Sequence, residues 1–89
     1  MIKVKNLNGT SDRVPNGYSS WLAFWEAKAG RRATQCNRFL CSATSNLVGA
    51  HVKKVDGNDN SWYIVPLCHA DNMSTEEFYV NGPLISVNA

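Results

Sequence analysis

Apolar and charged residues alternate in Ile2-Lys3-Val4-Lys5, which puts Ile2 and Val4 on one face of a short strand and both lysines on a wet face. From Asn6 to Gly17 the chain is rich in Asn, Gly and Ser and closes on Pro15-Asn16-Gly17, so it reads as a loop. The spacing turns helical between Ser19 or Ser20 and Ala29. Trp21, Leu22, Trp25 and Ala29 form an apolar stripe with Phe24 at its edge, a serine caps the start, and Lys28 and Gly30 suit the end. The tryptophans, one turn apart, serve a small core better than they serve as stacking platforms.

Downstream, LVGAHVKKV and SWYIVPL are β-branched and aromatic runs separated by a cluster of Asp, Gly and Asn, the pattern of a β-hairpin. Val48, Ala50 and Val52 share one face of the first run and His51 and Lys53 the other, while Trp62 and Ile64 oppose Tyr63, Val65 and Leu67 on the second. Pro66 donates no ladder hydrogen bond, so the second strand ends or lies at an edge there. A short helical turn is expected after Cys68. Phe78-Tyr79-Val80 reads as a further strand, with Asn81-Gly82 turning into a last strand that pairs with Ile2–Lys5.

The 89 residues make one small domain, short enough for a cross-link to matter to its stability. No apolar run approaches the roughly 20 residues of a membrane span, and the N-terminus lacks a signal-peptide core, so the expectation is a cytoplasmic protein. Three cysteines cannot make a complete disulfide set, and all three (Cys36, Cys41, Cys68) fall with both histidines (His51, His69) between residues 36 and 72. Shared metal ligation explains this more economically than disulfides do in a reducing compartment. Cys36 and Cys41 enclose four residues, at the wide end of zinc-knuckle spacing.

The net charge is only +2, but Lys28, Arg31, Arg32, Arg38, Lys53 and Lys54 lie in a stretch without Asp or Glu. Such a stretch is either an ordinary solvated face or a surface for nucleic acid or an acidic protein, with Arg31, Arg32, Arg38, Lys53 and Lys54 as the contact residues.

The cysteine pair, Gly49-Ala50-His51-Val52 and Trp62-Tyr63-Ile64-Val65-Pro66-Leu67-Cys68 with Asn72 resemble small bacterial and phage-borne proteins of the HNH-like, treble-clef type. Asn6-Leu7-Asn8-Gly9-Thr10-Ser11, Ser20-Trp21-Leu22 and Leu84-Ile85-Ser86-Val87-Asn88 extend the likeness over most of the chain. It implies an α+β fold in which a zinc knuckle and a β-hairpin form the core over residues 36–72, with one N-terminal amphipathic helix and terminal strands. It also implies a structural zinc on Cys36, Cys41, Cys68 and a fourth ligand, His69 or, as the alternative, Asp71. The sequence departs from the family pattern in having no Cys-x-Cys before Ser20 and in having Asp71-Asn72 where the family places His-Asn.

In active relatives a histidine on the first hairpin strand activates water, and His51 holds that place. Ala50 precedes it where a metal ligand is usual, and no second histidine follows at helical spacing, so the catalytic set is incomplete. The expectation is a binding scaffold for nucleic acid or protein. The alternatives are a metal-dependent nuclease using His51 and a phage-borne inhibitor or adaptor docking on a larger protein.

Overall fold

A computed structural model describes residues 1–7 and 14–89 of the chain. Its elements are β1 (Ile2–Asn6), α1 (Trp21–Ala29), β2 (Leu47–Lys54), β3 (Tyr63–Cys68), α2 (His69–Asn72), β4 (Glu77–Val80) and β5 (Ile85–Ser86). They form an α+β fold around one five-stranded sheet in the order β4-β1-β2-β3-β5, and every pair in it is antiparallel. Among the described residues no helix is long and apolar enough to cross a membrane.

The expected hairpin is β2–β3, with Ala50 opposite Val65 and His51 opposite Ile64. Because side chains alternate, the sheet divides its residues between two faces. Val4, Ala50, Val52, Val65, Leu67, Phe78 and Val80 build one core cluster together with Cys36 and Cys68. Phe24, Trp25 and Ile64 build a second, beneath α1. The helix runs as the spacing predicts: Ser20 Oγ accepts the Ala23 N–H at 3.0 Å, and Gly30, at φ +74°, stops it in the left-handed conformation. The buried stripe is rotated from the expected one, since Phe24 rather than Leu22 joins Trp25 in the interior. Gly49 lies directly under the first turn of this helix. A Cβ there would lie 2.5 Å from the backbone of Trp21 and Leu22, so the start of α1 rests directly on the sheet where β2 has no side chain.

The last strand departs from expectation. β5 pairs with β3, whereas β1 lies between β2 and β4. Asn81-Gly82 therefore starts a crossing from one edge of the sheet to the other rather than a hairpin, with a cis bond between Gly82 and Pro83. Pro66 does mark an edge: β5 covers β3 only at Tyr63 and Ile64, and the Pro66 carbonyl accepts from the Asn37 N–H at 2.9 Å. The expected loop of residues 6–17 begins one residue later, because Asn6 belongs to β1, and residues 8–13 lie outside the described ones.

Candidate metal centre

The segment from Cys36 to Cys41 folds as a tight turn against the free edge of β4. Arg38 bridges to Val80, the Phe39 N–H donates to the Tyr79 carbonyl at 2.8 Å, and the Cys41 N–H returns to the Arg38 carbonyl at 3.0 Å. Leu40 completes the turn at φ +70°, a conformation that costs a branched residue energy and leaves its side chain in solvent. The Cys36 N–H is fixed by the Ala43 carbonyl at 2.8 Å. Cys68 ends β3 as the N-cap residue of α2, and Asp71 follows three residues on, one helical turn away.

These pieces bring four ligating groups together. The Sγ atoms of Cys36, Cys41 and Cys68 and a carboxylate oxygen of Asp71 all lie within 4.8 Å of one another. The thiols of Cys36 and Cys68 both donate to Asp71 Oδ2, at 3.1 and 3.3 Å. Its other oxygen, Oδ1, accepts from Arg38 Nη1 at 3.0 Å. Arg38 also lies 4.8 Å over the Phe78 ring and 3.6 Å from Glu76, so its position is fixed from three sides. Burial pushes the Cys36 thiol up to about 12. Cys41 is also raised: a backbone hydrogen bond at Ala43 pulls it down, and burial and the Asp71 carboxylate push it further up. Partial burial pushes Asp71 up, but the thiols and Arg38 outweigh it and hold the carboxyl below its ordinary value.

The donor set fits a tetrahedral thiophilic cation. Ligands at about 2.3 Å from zinc stand roughly 3.8 Å apart along a tetrahedral edge, within the span the four groups already occupy. Ion and ligands would need little rearrangement.

His69, the expected fourth ligand, is exposed at the start of α2 beside Asn46, Leu47 and Val48, and it is Asp71 that stands with the thiols. A residue immediately after Cys68 leaves the turn in a different direction from the cysteine, whereas one three positions on returns to the same side. Two residues act here that the sequence pattern did not mark. Arg38, expected on a nucleic-acid surface, turns inward to Asp71. Asn6, which alternates with Ile2 and Val4 and so occupies a core position, donates from Nδ2 to the carbonyls of Asp71 at 2.8 Å and Ser74 at 3.0 Å, which fastens α2 to β1.

The other expected site residues are dispersed. His51 is 5% exposed, with the Trp21 ring 4.8 Å and the Trp62 ring 6.5 Å away, both edge-on. Among the described residues its Nδ1 has no hydrogen-bond partner, and burial lowers its pKa from the ordinary 6.5. Arg31 packs 5.7 Å over Trp25 and donates to the Gly82 carbonyl at 3.2 Å, lining a cavity of about 310 Å³ with Arg32. Lys53 is exposed, while Lys54 points to the opposite face, where Asp59 lies 3.6 Å away and the Tyr63 ring 5.0 Å away. No family model, curated protein or solved structure matches this chain.

Proposed function

We propose that this chain is a small binding module whose scaffold is held in shape by a structural zinc ion on Cys36, Cys41, Cys68 and Asp71. The observation that carries the reading is the convergence of those four groups within 4.8 Å from separate segments of the chain. A knuckle, a hairpin and then a short helix, with ligands from the knuckle and from Cys68 and Asp71 at the helix, is the order an HNH-like, treble-clef unit requires. Bound zinc would supply a cross-link, and four protein ligands would leave it no open position for substrate. Three thiolates and a carboxylate carry two more negative charges than zinc neutralises, and the Arg38 guanidinium against Asp71 offsets part of that excess.

Two features favour a binding role over a nuclease. A general base must reach water and a scissile phosphate, and His51 lies beneath Trp21. Ala50 beside it points into the opposite core and offers no ligand. Elemental analysis of untagged protein should find about one zinc per chain, lost in Cys68→Ser. A folded, metal-free wild-type protein would refute the staple. Plasmid DNA should survive incubation with magnesium or manganese, and cleavage abolished by His51→Ala would restore the enzyme reading.

A further inference from the structure

The basic residues that the fold gathers are not those that cluster along the sequence. α1 covers β2, β3 and β5, and it leaves open the part of the same sheet face formed by β4, β1 and the end of β2. Lys5 and Lys53 are directly opposite one another there, in the pairing of β1 with β2, and both are exposed. Neither has a carboxylate partner within ion-pair distance among the described residues. Lys3 stands across from Tyr79, its Nζ 5.9 Å from the ring centre. Among the described residues Glu77 is the acid on the strands of this face; it stands opposite Lys5 in the pairing of β1 with β4, but its carboxylate turns to Lys3, 3.6 Å away. At the far side Trp62 shares the face with His51. Tyr79 and Trp62 are 47% and 44% exposed, so each leaves nearly half of its surface in water.

Like charges directly opposite in a sheet destabilise it. Lysines are tolerated in sheets as guards against edge-to-edge pairing. Lys5 and Lys53 guard nothing, because β1 and β2 are interior strands and the edge at β4 is occupied by the Arg38–Phe39 turn. A polyanion lying across the face would relieve their repulsion. The aromatic rings at its two ends, Tyr79 on β4 and Trp62 just before β3, flank three strand-to-strand steps of about 4.8 Å and suit a ligand with planar groups as well as charge.

From this juxtaposition we infer that the open face of β4, β1 and β2 binds single-stranded nucleic acid, with Lys3, Lys5 and Lys53 on phosphates and Tyr79 and Trp62 as base platforms. Unpaired bases present both faces for stacking, and duplex DNA does not. The inference rests on the binding-module reading and names its surface and ligand. It replaces Arg38 and Lys54, whose charges are already engaged inside the protein.

The test is fluorescence anisotropy with labelled oligo(dT) and oligo(U) of about 16 nucleotides, the corresponding duplex, and polyglutamate. Single strands, as DNA, RNA or both, should bind most tightly, with affinity falling between about 50 and about 200 mM salt. The triple variant Lys3→Gln/Lys5→Gln/Lys53→Gln should lower the slope of log affinity against log salt by about 2, at roughly 0.7 per phosphate contact. Tyr79→Leu and Trp62→Leu should each weaken binding about tenfold with the slope retained, and Tyr79→Phe should bind like wild type. Arg32→Gln should change neither. Absence of single-strand binding at the lower salt, a preference for duplex or polyglutamate, or unaltered binding by the triple variant would overturn the inference. Zinc content and circular dichroism measured on the same preparations separate the two proposals. Zinc-loaded, folded protein that ignores single strands removes this surface only, and zinc-free protein that still binds them through these lysines removes the staple only.

Discussion

Two polar centres lie on this sheet, one half-buried and one buried, and they differ in how many separate segments supply them. At one, Cys36, Cys41, Cys68 and Asp71 converge from the knuckle, the end of β3 and α2, and Arg38 and Asn6 hold the carboxylate and its helix in place. At the other, a single imidazole sits among aromatic rings with one nitrogen unpaired among the described residues. Both contain residues that ligate metals and move protons. Chemistry needs several such groups aimed at one point, and the first centre alone has them.

The largest effect is expected at the cysteine centre. Cys68→Ser should abolish zinc binding and cost about 3 kcal/mol or more, because a staple that forms only in the folded state contributes its binding energy to folding. At about 4–8 °C per kcal/mol for a domain of this size, the melting temperature should fall by at least about 12 °C, measured by circular dichroism. Loss of the metal with an unchanged melting temperature would demote it to a passenger.

At the imidazole centre the largest effect should come from packing. Gly49→Ala puts a methyl group 2.5 Å from the Trp21 and Leu22 backbone, and backbone cannot swing aside as a side chain does. Overpacking of this kind costs about 1–3 kcal/mol, and here α1 must lift from β2 to relieve it. Urea denaturation should show the loss, with zinc content unchanged. Arg38→Met should act in reverse, leaving α1 in place and weakening zinc affinity about ten- to hundredfold in competition with a chromogenic chelator. Unchanged affinity would mean that Asp71 is positioned by the thiols and Asn6 alone.

Local features were the legible ones. The helix bounds, the hairpin and the turn after Cys68 all follow from periodicity, caps and spacing within a few residues, and the odd number of cysteines pointed to one shared site. Long-range choices were not. Nothing near Leu84–Val87 distinguishes β1 from β3 as its partner, since two short apolar strands satisfy either edge. The choice between His69 and Asp71 depends on the direction in which α2 turns after Cys68, and the inward role of Arg38 depends on where the knuckle meets β4. Asn6 could have been found, because a polar residue in phase with Ile2 and Val4 is placed to be buried, where its amide group needs partners of the kind that Nδ2 finds. Gly49 could also have been found, since a glycine inside a strand marks a close approach.

The smallest effect concerns the charge of His51. Burial beneath Trp21 disfavours the imidazolium and lowers its pKa below 6.5 in the folded protein. The unfolded chain keeps the ordinary value, so as pH falls it takes up this proton before the native state does. The contribution of His51 to stability is therefore complete above pH 6.5 and is lost as pH falls through 6.5 toward the depressed folded value. One proton can impose a slope of at most about 1.4 kcal/mol per pH unit. His51→Leu removes the titration while filling similar space and leaving no orphaned nitrogen, so at pH 8 it should change stability by less than about 1 kcal/mol. Below pH 6 the variant should become the more acid-resistant protein, as read from paired urea curves across the range. If wild type and variant lose stability in parallel, His51 is solvated in its charged form and the contrast between the two centres fails. A slope that disappears in the variant would show that this histidine is held neutral by packing, as a core residue is.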